Sequence, residues 1–154
     1  MRSASCQCIR SLSRSVKNLR THLLDAGIVE PIISLLGAEE DLVVKIAACA
    51  TICNMVLDFS SVKSSMIEKK AVDLVVNMIK STYSGLRLNA VWAMKNLLYL
   101  ADKNIKQEVM SSLTFDLLFS LTYDPDIDVQ SQALNMLRNL ACGEESVIHQ
   151  SIYH

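Results

Sequence analysis

At 154 residues the chain has room for one domain with a sizeable buried core. It is 51% hydrophobic but only 5% aromatic, with four Gly and two Pro, a mix of aliphatic residues with few breakers that favours an all-helical protein. A formal net charge of −1 argues against a general nucleic-acid or membrane-surface binder, and no apolar run approaches the length that crosses a bilayer.

In chain order, residues 1–24 carry Arg2, Arg10, Arg14, Lys17 and Arg20, several Ser, and no acid before Asp25. That composition matches a mitochondrial transit peptide. The stretch Ser5–Leu12 (SCQCIRSL) also fits the repeat described next, which a cleaved leader has no reason to do, so the segment is read as the end of a repeat.

Asn54, Asn96 and Asn139 fall 42 and 43 residues apart, and their flanks align without gaps as ACATICNM, AVWAMKNL and ALNMLRNL. Each block opens on Ala and places apolar residues at matching positions around the Asn. A second segment recurs in the same phase: GIVEPIISLL from Gly27, KAVDLVVNMI from Lys70 and LTFDLLFSLT from Leu113. Shorter segments start at Ser15, Ser61 and Asn104, whose side chains suit helix N-caps. Breaks are expected at Glu39–Asp41, Ser84–Gly85 and Asp124–Asp126.

Three helices per unit of about 42 residues stack into an α-solenoid. The expected division is 1–14 as the end of one repeat, 15–58, 59–101 and 102–143 as repeats, and 144–154 as the start of another.

The stretch Leu86–Ala101 shows how a third helix is built. Ala90, Val91, Met94, Leu97 and Leu98 recur at helical spacing and predict a packing face. Asn89, Trp92, Lys95, Asn96 and Tyr99 lie along a second stripe. The matching stripes are Ala47, Ala50, Cys53, Asn54 and Leu57 one unit earlier, and Gln132, Asn135, Arg138, Asn139 and Cys142 one unit later. Stacked units would align these stripes into a groove.

In that groove, Asn amides can pair with the backbone of an extended peptide. Trp92 and Tyr99 would supply rigid anchors, while Lys95 and Arg138 would favour a carboxylate. The competing reading makes the Asn residues braces within the solenoid and Trp92 a gap filler. The groove reading is preferred for Trp92 and Asn96; for Asn54 and Asn135 both stay open.

Catalytic and metal chemistry find little to stand on. The His residues are His22, His149 and His154, none within a nucleophile–base motif. Five Cys without a secretory signal are read as reduced thiols, and the pair Cys49 and Cys53 lacks a second ligand pair for a metal. Asp124, Asp126 and Asp128 resemble the opening of a calcium loop. Val129 and Asn135 occupy the positions where such a loop needs Gly and Glu, so these acids are read as helix caps. The expectation is a non-enzymatic protein without cofactor or metal.

The pattern A-x-W-A-x-x-N-L at this period resembles the third helix of armadillo repeats. The run from Leu86 to Leu121, followed by DIDVQSQALNMLRNLA, is similar to the armadillo subunits of GID/CTLH ubiquitin ligases, known also through the vacuolar import and degradation pathway. The resemblance implies a non-catalytic scaffold, cytoplasmic and nuclear, that docks other ligase subunits and supports degradation of client proteins. It implies further that the groove grips the C-terminal tail of a substrate receptor. Positions carrying this here would be Asn89, Trp92, Lys95, Asn96, Tyr99, Arg138 and Asn139. The alternative is an importin-α-like receptor for basic peptides; one Trp and a groove edged by Lys95 and Arg138 speak against it.

Overall fold

The computed structural model describes residues 1–14, 17–37 and 39–142. Ser15, expected to cap a helix, and the further repeat expected over 144–154 lie outside them. Among the described residues there are ten α-helices and no strand, the all-α solenoid that the composition and period imply. Helix α1 spans Arg2–Ser13. Three units follow: α2 (Lys17–Asp25), α3 (Val29–Gly37) and α4 (Leu42–Asp58); α5 (Ser60–Glu68), α6 (Ala71–Ile79) and α7 (Ser84–Leu98); α8 (Lys103–Leu113), α9 (Phe115–Leu121) and α10 (Ile127–Ala141).

Helices α1, α4, α7 and α10 pack in one row, each against the next, and α3 and α6 cover α4 and α7 from outside. One continuous apolar core runs through all three units. The packing face of α7 is fully enclosed: Ala90, Val91, Met94, Leu97 and Leu98 are each no more than 1% exposed. Burial on this scale stabilises by roughly 1.5–3 kcal/mol for each large side chain. Enclosure needs a neighbour on both sides. Val91, between α4 and α10, is 0% exposed, whereas Leu134, one period later, is 58% exposed because no described helix packs on the far side of α10.

Helix ends set where the row begins and stops. Gly27 takes φ +71° after α2, and its N–H and that of Ile28 donate to the carbonyls of Leu24 and Leu23, closing a Schellman turn. The caps are Asp102, whose carboxylate accepts from the Ile105 N–H at 2.9 Å, Thr114 on the Leu117 N–H at 3.3 Å, and Asp126 on the Asp128 N–H at 3.0 Å. Ser61 and Asn104 therefore sit inside their helices rather than capping them: Asp102 supplies the oxygen earlier, and α5 begins at Ser60. Ser84 and Gly85 likewise form the first turn of α7, and the break falls at 80–83. Helix α7 stops at Leu98, short of Ala101, because Leu100 takes φ +49° and the chain turns. Lys63 of α5 reaches across to donate to the Tyr99 carbonyl there, and Lys106 does the same for the Leu140 and Cys142 carbonyls at the end of α10. Cations thus neutralise the negative ends of both third helices.

The acidic turn before α10 is spent on packing. Arg87 of α7 donates to both carboxylate oxygens of Asp124, at 2.6 and 2.8 Å, and to the Ser81 carbonyl at 2.9 Å. The pair is largely buried, and the same carboxylate accepts the Asp126 N–H at 2.9 Å. The guanidinium beside it holds the Asp124 carboxyl below its ordinary range.

Candidate functional site: a groove along the third helices

The stripes read from sequence divide between two adjoining hollows on the row of third helices. The first, about 310 Å³, is lined on α4 by Ala50, Cys53, Asn54 and Leu57 and on α7 by Asn89, Trp92, Lys95 and Asn96. The second, about 440 Å³, is lined by Tyr99, Leu100 and Ala101 after the end of α7, by Arg138 and Asn139 of α10 and by Cys142 just past it. Asn135 lines neither; its amide donates to the Ser131 carbonyl of its own helix at 3.0 Å. Ala47 is fully buried beneath the groove.

The two aromatic anchors stand proud. Trp92 on α7 and Tyr99, the residue just past its end, are each 43% exposed. The Lys95 ammonium sits 5.4 Å from the Trp92 ring centroid, within cation–π range, and fixes one side of the indole. Burial lowers the Lys95 pKa, the nearby Cys53 sulfur partly opposes this, and Arg138 adds to the lowering. Leu100, 86% exposed in a left-handed conformation that β-carbon sterics disfavour, edges the second hollow.

The Asn residues form a ladder of a specific kind. Asn96 is 7% exposed, and its Nδ2 donates to the Cys53 carbonyl of the preceding unit at 2.9 Å and lies 3.3 Å from the Cys53 sulfur. Asn139 repeats the arrangement one unit on, donating to the Lys95 carbonyl at 3.0 Å. Asn54 donates to the Ser13 hydroxyl at 2.9 Å, and that hydroxyl donates to the Arg10 carbonyl at 2.8 Å. Each amide nitrogen is thus engaged by the preceding third helix, directly or through a Ser relay. What the ladder holds ready for a ligand is the acceptor half of each amide. Asn89 turns its own nitrogen onto the Gly85 carbonyl at 2.7 Å.

Sequence reasoning missed Arg10 and Arg14. Arg10 on α1 and Arg14 just past its end line the first hollow together with Trp92 and Lys95. Their signal was visible as a basic N-terminal composition, but nothing in a composition says that α1 packs on α4 and turns these side chains inward. The buried pair Cys49 and Cys53 offers no reactive centre: burial pushes the Cys53 thiol up to about 11 and raises Cys49 further. Among the described residues no three His, Cys, Asp or Glu side chains are placed to hold a metal.

A row of three-helix units of this period, its groove lined by Asn and exposed aromatic residues, is an armadillo-type α-solenoid. The family model for the armadillo/β-catenin-like repeat matches residues 17–57, and that for the VID28/GID5 C-terminal domain matches residues 80–153. Among curated proteins the chain is similar to Armadillo repeat-containing protein 8 of Danio rerio, 38% identical over 91% of this chain and 21% of the relative. It is likewise similar to GID complex subunit 5 of Schizosaccharomyces pombe, 36% identical over 96% of this chain and 19% of the relative. The chain therefore spans about a fifth of the length of these relatives. Among solved structures, an engineered protein superposes with a TM-score of 0.87 at 21% identity, over 97% of this chain and 36% of that one. A designed armadillo repeat protein in complex with the peptide (KR)4 superposes with a TM-score of 0.79 at 20% identity, over 90% of this chain and 57% of that one. At such identities the likeness is one of fold.

Proposed function

We propose that this chain is a non-catalytic docking scaffold in a GID-type ubiquitin ligase, acting in the cytoplasm and nucleus. Its groove grips an extended segment of another subunit, the C-terminal tail of a substrate receptor, and so supports degradation of that receptor's clients. The observation that carries the reading is the exposed pair Trp92 on α7 and Tyr99 at its end, each lining one of two hollows on the row of helices. Large aromatics left half in solvent beside concave surface are the usual anchors of a binding site, where two or three residues supply most of the affinity. The similarity to GID complex subunit 5 supplies the complex. An importin-α-like role is disfavoured by the lining: among the described residues the first hollow shows Arg10, Arg14 and Lys95 and no acid to meet a basic cargo.

The test is binding of a receptor-tail peptide to the wild-type chain and to Trp92→Ala. Trp92 is clear of the core, so the variant is expected to melt like the wild type yet lose about 2 kcal/mol of binding energy, roughly thirtyfold in Kd. Equal binding by both proteins would remove Trp92 from the site and with it the proposed groove. A folded wild type that binds no receptor tail would overturn the docking role.

A further inference from the structure

The groove has a charge pattern as well as a shape. Arg10 on α1, Arg14 at its C-terminal end, Lys95 on α7 and Arg138 on α10 all face the two hollows, and among the described residues no Asp or Glu lines either one. Three cations elsewhere are matched with carboxylates: Arg87 with Asp124, Lys69 with Glu30 and Arg2 with Glu40. Among the described residues none of the four groove cations has a carboxylate partner, and the Arg10 Nε is buried without a hydrogen-bond partner. The 16 acids of the chain match its 15 Lys and Arg in number, yet among the described acids none is placed against these four side chains.

We infer that the groove's occupant is an acidic extended peptide, with carboxylates spaced to meet the cations at α1, α7 and α10. This rests on the docking reading above and adds the chemistry of the ligand. The spacing follows from the row itself. Packed helix axes stand roughly 8–10 Å apart, and an extended chain advances roughly 3.3 Å per residue, so each unit is crossed by two to three residues. Lys95 and Arg138 lie on adjacent third helices, so their carboxylates belong about three residues apart. Arg10 and Arg14 lie two helices before Lys95, so theirs belongs about six residues away on the other side. Between these points Trp92 and Tyr99 take apolar side chains, and the free oxygens of the Asn ladder accept backbone N–H groups. A peptide fits better than a nucleic acid: four cations on an otherwise acidic chain neutralise a few separated charges, whereas a polyanion would meet the repulsion of the remaining surface.

Three fluorescent peptides, identical except for Glu, Gln or Lys at the three spaced positions and with an aromatic residue between them, test the inference on the full chain. The Glu peptide is expected to bind about tenfold more tightly than the Gln peptide at low salt, the sum of three half-exposed ion pairs, with the Lys peptide weakest. The gap should narrow as salt is raised. In the double variant Arg14→Glu/Arg138→Glu, both positions being exposed, the order of Glu and Lys peptides should reverse while helicity and melting stay unchanged. Equal binding of Glu and Gln peptides, both lost in Trp92→Ala, would overturn the acidic ligand and leave the docking groove standing. Failure of all three to bind would overturn both. Tighter binding of a single-stranded oligonucleotide that displaces the Glu peptide would assign the cations to nucleic acid instead.

Discussion

Replacing Asn96 by Ala separates bracing from ligand contact. In the folded chain the Asn96 amide bridges α7 to the Cys53 carbonyl on α4 at 2.9 Å in a site only 7% exposed. Losing one net hydrogen bond costs about 1 kcal/mol, and the void left between the helices adds roughly 0.5 kcal/mol. For a chain of this size about 1.5 kcal/mol lowers Tm by roughly 3–6 °C. Asn96→Asp keeps the volume but points a carboxylate at a carbonyl oxygen, so its cost should be larger, about 3 kcal/mol. Circular dichroism melts of the two variants beside the wild type measure both. The order expected is wild type above Asn96→Ala above Asn96→Asp. An Asn96→Ala protein that melts within a degree of wild type but loses peptide would mean that the amide serves the ligand and the ladder is not what joins the units.

Two further predictions concern the frame that carries the groove. Asp124→Asn removes the charge from a buried bidentate pair with Arg87 and should cost about 3 kcal/mol at neutral pH by chemical denaturation. Because the Asp124 carboxyl titrates below its ordinary value in the folded protein, its contribution is complete above about pH 4 and disappears as pH falls further, so the wild type should lose stability on acidification more steeply than the variant. Parallel acid limbs for the two proteins would remove the ion pair from the stability account. Gly27→Ala should cost about 1 kcal/mol, since the position holds φ +71° with open space around it, so backbone strain alone sets the penalty. A thermal melt unchanged by that substitution would show that the Schellman turn tolerates a β-carbon.

The sequence by itself determined the architecture. A period of 42 to 43 residues, repeated in two independent segments, leaves few alternatives to stacked helical units, because each helix buries its apolar stripe only against a copy of itself. Trp92, Lys95, Asn96 and Tyr99 were legible as a face distinct from the packing face, since side-chain direction in a helix is fixed by spacing. What spacing could not convey was the partner of each polar group. An Asn on a stripe offers a donor and an acceptor, and only the approach of α4 to α7 decides that the nitrogen of Asn96 is taken by the Cys53 carbonyl while its oxygen is left over. The same holds for Arg10 and Arg14, which entered the groove when α1 packed on α4. Helix ends were the other uncertain part: whether Asp102 or Asn104 caps α8, and whether Ser84 breaks the chain or starts α7, turns on single hydrogen bonds between groups that each local sequence can satisfy in more than one way. Local periodicity fixes which residues share a face. The charge and hydrogen-bond character of the groove belongs to contacts between units, and those exist only once the helices stack.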